Sequence, residues 1–570
     1  MEFTLAVAVF SILLYALRWN RNRSKLPLPP GPRKLPLVGN FFDMPTERQW
    51  ETFLKWSKQF STSIVVLSSI EAVKELFEKR SALYSGRPRM PMVVELMGCN
   101  FLIAFMEYGN RWRSHRKMFY EGFNVGAVEQ FQPQELAATH ELLRRLLRGS
   151  ADVVNDFRHF TGAVIMNITY GIDIRGADDK YIKIAKEGIE RISTASMPGA
   201  FLVDSIPALK YVPNWIPGTE FKRKAINWKK IVQDSLQLPF AETQQNIATG
   251  TARTSFTSIN LRLVEELTGT ELEEQEAVIK ATAANMYLGA VDTTVSALGT
   301  FILAMLLNPE AQKKAQAEID SVVGSGQLPG FADKPTLPYV SAIVKEVLRW
   351  RNVTPLGFFF PTISPWMMSI KVTESQRIRL SLETHVLFLA CDRAILHDEA
   401  IYPDPHSFKP ERFLLSEGKL NPAIRDPETV AFGFGRRICP GRHMAVAALW
   451  IVVVSILSTF NIDKAIGEDD REIEPSHEYS PGVDTPPVQM FNHPTVPTGG
   501  GDDSGHFLAN SFDICLDMIS MRMYCPCYFT PMFFVAIYPT SIWPLLGPLH
   551  VSPPLCELKR PRNCVWVKAK

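Results

Sequence analysis

The run Phe432-Gly433-Phe434-Gly435-Arg436-Arg437-Ile438-Cys439-Pro440-Gly441 presents one sulfur among groups suited to metal ligation. Downstream, Ala445 to Phe460 reads as an apolar helix, so Cys439 lies just before a helix N-terminus. The positive end of the helix dipole favours a thiolate, the form of cysteine that binds metals. Gly435 and Gly441 flank the sulfur at −4 and +2, where glycine permits unusual dihedrals and the close approach of a large flat ligand. Arg437 adds a cation that can neutralise the sulfur or pair with a cofactor carboxylate. A lone cysteine is more often a buried structural residue, but the ten-residue pattern F-x-x-G-x-R-x-C-x-G makes metal ligation the better reading.

Three further groups could do chemistry or support it. Gly289-Ala290-Val291-Asp292-Thr293-Thr294 falls inside a long apolar helical stretch from about Glu274 to Leu307. A threonine there can bond the carbonyl four residues back, and an acid beside an alcohol, Asp292 and Thr293, suits proton delivery. Trp112 and Arg116 are one helical turn apart, so both can point the same way; an indole N–H and a guanidinium together suit a pair of carboxylates. Glu346 and Arg349 share a helix face, and Pro410-Glu411-Arg412-Phe413 ends 26 residues before Cys439. An isolated pair of that kind is usually a solvated bridge of little worth.

In this order, these motifs resemble those of the cytochrome P450 family, the haem-thiolate monooxygenases. The resemblance implies a mainly α fold with a smaller β region and a single large catalytic domain. It implies haem b (iron protoporphyrin IX) as cofactor, with Cys439 as its iron ligand. Ala290, Phe432, Gly435 and Gly441 would surround the haem, and Trp112, Arg116 and Arg437 would contact its propionates. Asp292 and Thr293 would be catalytic, delivering protons. Glu346, Arg349 and Arg412 would form a buried ionic triad holding the loop before the cysteine. Leu337 to Ile343 and Tyr402-Pro403-Asp404-Pro405 are similar to fungal members, in the group described as O-methylsterigmatocystin oxidoreductase-like.

The implied reaction inserts one oxygen atom of O2 into a small apolar organic substrate. Electrons would come from NADPH through a flavoprotein reductase, with Arg436, Arg442, His443 and Lys117 as candidate docking cations. Substrate contacts are expected from Arg87 to Ala104, Ser196 to Pro217 and Ala283 to Thr294. Two other readings stay open at this point: a haem-thiolate isomerase or dehydratase needing no reductase, which Asp292 and Thr293 argue against, and a non-catalytic product of a decayed or mis-predicted gene.

Composition bounds the elements that must position these groups. With 570 residues, 46% of them hydrophobic, the chain can bury a large core. A net charge of +2 gives no argument for nucleic acid as a partner. Eight cysteines, five of them in the last sixty residues, are too few for a disulfide scaffold. Phe3 to Leu17 is an uncharged apolar run followed by Arg18, Arg21, Arg23 and Lys25, the reverse of a cleaved signal. Residues 1–22 therefore read as a membrane anchor and the Pro-rich 23–40 as a hinge. The catalytic domain, 41–483, would be cytoplasmic on a single-pass protein of the endoplasmic reticulum membrane.

Three places depart from the family pattern. Before Ile64-Val65-Val66-Leu67 a hairpin partner is missing around residues 61–63, which predicts an unpaired strand edge. Residues 358–392 have about the right length but lack the family's pocket strand and hairpin, although Ser369 to Val372 and Val386 to Ala390 are β-capable. Residues 484–570 form a non-family tail read as disordered. Within it Phe533 to Val551 is apolar enough to consider as a span, but Pro539, Pro544 and Pro548 argue against a stable helix.

Overall fold

The computed structural model describes residues 64–149, 152–176, 179–197, 199–324, 326–356, 368–373, 376–380, 387–465, 471–475 and 565–569. The expected anchor and hinge, the missing hairpin at 61–63 and most of the expected tail lie outside the described residues. The chain divides into a large unit, residues 1–495 with 562–570, and a second, 496–561, that contains no described residue.

Among the described residues, nine long helices dominate the large unit: α1 (Asn110–Phe123), α2 (Gln132–Leu147), α3 (Val153–Tyr170), α4 (Lys180–Ser196), α5 (Glu220–Ala248), α6 (Gly269–Leu307), α7 (Pro309–Val322), α8 (Pro338–Trp350) and α9 (Arg442–Thr459). Their ends follow local chemistry. Asp152 caps α3 by accepting the Asn155 N–H at 3.1 Å, and α3 stops at Gly171, whose φ of +70° suits a residue without Cβ. Proline opens both α7 and α8, where its missing N–H costs nothing.

The core is built on two helices whose buried stretches are apolar all round. α6, about 58 Å long from its 39 residues, is buried along nearly its whole second half, and α9 is buried from Ala448 to Leu457. Both are long and apolar enough to cross a membrane, yet most of each apolar window is buried inside the protein. They are core helices. Trp450 and Phe301 are fully buried there, each contributing on the order of 2–3 kcal/mol by removal from water.

The β region is small. β1 (Ile64–Leu67) pairs in parallel with β4 (Leu387–Ala390), with Ile64 opposite Leu387. The strand edge expected to stand unpaired thus has a partner on one side, from the segment whose identity departs from the family. β2 (Met368–Thr373) and β3 (Gln376–Leu380) form an antiparallel hairpin with an irregularity between Lys371 and Thr373. β5 (Phe460–Lys464) pairs antiparallel with β6 (Val565–Ala569), a strand that falls within the expected tail.

A buried ionic network fixes the chain that leads to Cys439. Arg349 makes two bonds to Glu346, Nε to Oε2 at 2.6 Å and Nη2 to Oε1 at 2.9 Å, and both side chains are fully buried. Arg412 donates to the same Glu346 at 3.2 Å, as does the Lys409 N–H at 2.8 Å. Arg349 also donates to the carbonyls of Leu396 and Pro405, tying α8 to the chain before the cysteine loop. With its carboxylate bonded on both oxygens, Glu346 meets the condition under which a buried charge is tolerated.

Candidate active site

The Cys439 N–H donates to the Phe432 carbonyl at 2.8 Å, which closes the loop on itself. Gly433 and Gly435 both have positive φ, +76° and +58°. At Gly435 a Cβ would meet the Phe77 carbonyl oxygen at 1.9 Å, so the loop rests on the backbone of the helical turn Lys74–Lys79. The close approach anticipated from sequence is therefore to protein. Gly441 behaves differently: its φ is −86°, it precedes the first residue of α9, and a Cβ there would lie 4.0 Å from Sγ.

Burial raises the Cys439 thiol pKa, while the Gly441 N–H, Arg116 and Arg442 pull the other way. Three sources of positive potential thus converge on one sulfur and partly offset the burial that favours its thiol form.

Around the loop lies a cluster of buried guanidinium groups. Arg437, 8% exposed, donates to the carbonyls of Ser85 at 2.8 Å, Ile103 at 2.9 Å and Met106 at 2.7 Å. Its guanidinium lies 4.6 Å from the centroid of the Trp112 ring. Burial and then repulsion from Arg116 lower its pKa to about 9. Arg87, also buried, is held well below its ordinary value by burial and by Arg437. Burial lowers Arg116 too, with Cys439 opposing that shift and Arg442 adding to it.

Among the described residues no carboxylate pairs with Arg437 or Arg116, and the buried Trp112 Nε1 has no hydrogen-bond partner. Buried cations without counter-charge and an orphaned donor call for an anionic group. A haem, with two carboxylates and an iron seeking a thiolate, fits this donor set.

A cavity of about 410 Å3 extends between the loop and α6. Of the residues singled out in the sequence, Cys439, Phe432, Gly441, Arg437, Ala290 and Thr293 line it, whereas Trp112, Arg116, Gly435 and Asp292 do not. Thr293 Oγ1 donates to the Gly289 carbonyl at 2.9 Å, the bond four residues back that its helical position allows. Asp292 instead turns to α3, where Arg158 Nε donates to its Oδ1 at 3.1 Å. Thr161 on α3 donates to the Val291 carbonyl at 3.0 Å, so α3 grips α6 on both sides of this point.

The wall is mostly apolar. Leu102 to Ala104 and the α6 residues from Asn285 to Thr294 contribute, as expected, but no described residue of 196–217 does; Ile189, Ile192 and Ser193 on α4 take that place. Of the candidate docking cations, Lys117 is exposed and lies 3.8 Å from Glu121, while Arg436 is engaged by Ser81 and Tyr108.

Sequence reasoning missed the roles of three residues. Asn285 accepts the Ile103 N–H at 2.8 Å and donates to the Phe101 carbonyl at 2.9 Å, pinning the loop that wraps Arg437 to α6. Arg158 and Arg87 act on partners 134 and 350 positions away, which no local spacing reveals. An asparagine within an otherwise apolar helical run was the one signal present.

The cytochrome P450 family model matches residues 29–490. Cytochrome P450 monooxygenase 98 of Postia placenta is 42% identical over 501 residues, covering 86% of this chain and 93% of that protein. Cytochrome P450 monooxygenase ple1 of Rhodocybe pseudopiperita is 39% identical, covering 83% and 90%. Tryptamine 4-monooxygenase of Psilocybe cyanescens is 37% identical, covering 85% and 94%. A family match over most of the chain, joined to a cysteine loop facing a helix-bounded cavity, leads to one conclusion: the chain belongs to the cytochrome P450 family of monooxygenases.

Proposed function

We propose that this chain inserts one oxygen atom of O2 into a largely apolar organic substrate, the other leaving as water. Two electrons come from NADPH through a flavoprotein reductase, and two protons enter from solvent. The cofactor is haem b, with Cys439 as the iron ligand. Bound haem supplies the one-electron and O2 chemistry, and thiolate ligation favours O–O cleavage.

The chain's own residues then have separable tasks. The Gly441 N–H, Arg116 and Arg442 hold negative charge on Cys439 Sγ. Arg437 and Trp112 take the cofactor carboxylates, the indole through its orphaned N–H. The Thr293 hydroxyl holds a proton at the cavity surface, and Asp292, oriented by Arg158, is the acid that resupplies it. Phe105, Phe119 and Val164 exclude water from the reacting volume. Residues 1–22 anchor the protein in the endoplasmic reticulum membrane with the catalytic domain on the cytoplasmic side, a reading supported by the apolar run before Arg18.

The observation that carries this reading is the placement of Cys439 and Thr293 on the wall of one cavity. The reduced, carbon monoxide-bound spectrum of the full chain tests it. A red-shifted Soret band that vanishes in Cys439→Ala is the expected result; haem retained with no such band in the wild type would overturn it. NADPH-dependent O2 uptake with the reductase, stimulated by substrate, tests the electron source.

A further inference from the structure

Asp392 is a buried acid on the wall of the same cavity. It opens the helical turn Asp392–Leu396, directly after β4, and is 1% exposed. It lines the cavity together with Val353 and Thr354, from the chain that follows α8. Its Oδ1 has no hydrogen-bond partner among the described residues. Burial pushes its carboxyl pKa well above the ordinary value. Arg437, the cation on the same cavity wall, makes its hydrogen bonds to the carbonyls of Ser85, Ile103 and Met106 rather than to Asp392.

A carboxyl oxygen buried without a partner costs stability. A ligand that brings both the missing donor and a positive charge reverses that cost, because a charge-assisted bond in a water-poor site is among the strongest polar contacts available. The rest of the wall sets the remaining chemistry. Leu102, Phe105, Val164, Ile165, Met286 and Leu348 present hydrocarbon and aromatic surface. An apolar chamber with one acid whose Oδ1 is unpaired among the described residues complements an amphiphilic molecule with a cation at one end.

We propose that Asp392 binds the protonated amine of the substrate, which makes the substrate class an alkylamine carried on an aromatic or aliphatic body. This rests on the monooxygenase reading only in taking the cavity as the substrate chamber. A neutral alcohol would also donate to Oδ1 but would leave the acid without a counter-charge, so the amine is favoured. The ammonium stays protonated, and any proton the carboxyl carries leaves to solvent. Asp392 is here a specificity residue.

The test uses the full-length, haem-loaded protein with phenethylamine and its uncharged N-acetyl derivative as probes, their affinities read by equilibrium dialysis. Wild type is expected to bind the amine at least about tenfold more tightly than the amide, the scale of one charge-assisted bond. Asp392→Asn is expected to abolish that preference and leave amide binding within about twofold. Equal affinities, binding of neither probe, or a preference that survives in Asp392→Asn overturns the proposal. So does a Soret shift showing the amine nitrogen on the iron.

Should Asp392→Asn lose haem, Asp392→Ser and Asp392→Glu are read in the same way instead. A preference lost in Asp392→Ser and kept in Asp392→Glu supports the proposal, and a preference that survives in Asp392→Ser overturns it. Dialysis does not depend on turnover, and the carbon monoxide spectrum reports the haem separately. Failure of the amine site and failure of the monooxygenase reading are therefore distinguishable.

Discussion

Arg158 Nε lies 3.1 Å from Asp292 Oδ1 and joins α3 to α6 one residue before Thr293. The acid and the alcohol are adjacent in sequence but face different neighbours: Thr293 lines the cavity, and Asp292 is drawn to the next helix. Both members of the ion pair are mostly buried, with side-chain exposures of 15% and 11%. Removing one partner strands the other in a poorly solvated place. On the proposed function, Arg158 is a positioning residue for a proton path whose last group is Thr293.

Proton supply should fail in a graded way along that path. Asp292→Asn is expected to lower product formation by about 10- to 100-fold, the usual scale of lost acid–base assistance. Arg158→Ala should lower kcat by about tenfold while leaving KM within about twofold, because Arg158 lies outside the cavity wall. Thr293→Ala should keep NADPH consumption but reduce product formed per NADPH. All three should retain the carbon monoxide Soret band. Loss of that band in Arg158→Ala would show a structural role instead.

The two glycines flanking Cys439 should respond oppositely to alanine. At Gly435 a Cβ would meet the Phe77 carbonyl at 1.9 Å with φ at +58°. The left-handed conformation alone costs about 1–2 kcal/mol, and relieving the clash must shift the loop or the turn beneath it. Gly435→Ala is expected to lose haem and lower Tm by several degrees. Gly441→Ala, with φ of −86° and its Cβ 4.0 Å from Sγ, should keep both haem and stability. Haem titration and thermal melts of the two variants check the contrast.

Local spacing made much of this site legible. Cys439 and its flanking residues lie within ten positions, and Glu346 and Arg349 are neighbours on one helix face, so their chemistry is written in short patterns. The partners that complete the site are not. Arg437 is held by carbonyls 331 to 352 positions away, and backbone carbonyls carry no sequence signature. The role given to Gly435 also needed the fold, since a glycine motif does not say whether cofactor or backbone will approach it. In 358–392 the alternating runs were sufficient to anticipate β2 and β4, yet β3, with its charged Arg377 and Arg379, gave no comparable apolar signal.

The ionic triad should behave as a unit. Glu346 is bonded by Arg349, Arg412 and the Lys409 N–H. Glu346→Ala leaves two buried guanidinium groups without a counter-charge and should cost about 3–5 kcal/mol. Arg412→Ala should cost less, since Arg412 keeps about 7% exposure and Glu346 retains Arg349. Denaturant unfolding of the haem-loaded proteins measures both. An Arg412→Ala cost equal to that of Glu346→Ala would contradict the ranking.

Glu135 gives a pH dependence with a defined sign. It lies in the first turn of α2, is 1% exposed, and neither carboxyl oxygen has a partner among the described residues. Burial raises its pKa from 4.5 to about 8, with Lys334 pulling weakly the other way. Between those values the folded protein keeps a proton that the unfolded chain has released. Stability therefore falls with rising pH across that window, by at most about 1.4 kcal/mol per pH unit from this group. Below pH 4.5 and above pH 8 the contribution levels off. Glu135→Gln keeps the shape and removes the titration, so the stability difference, wild type minus variant, should decline from pH 5 to pH 8. Measuring unfolding free energies of both proteins across that range isolates Glu135 from other titrating groups, including Lys334. Parallel pH profiles would mean that the carboxyl is already ionised in the folded protein.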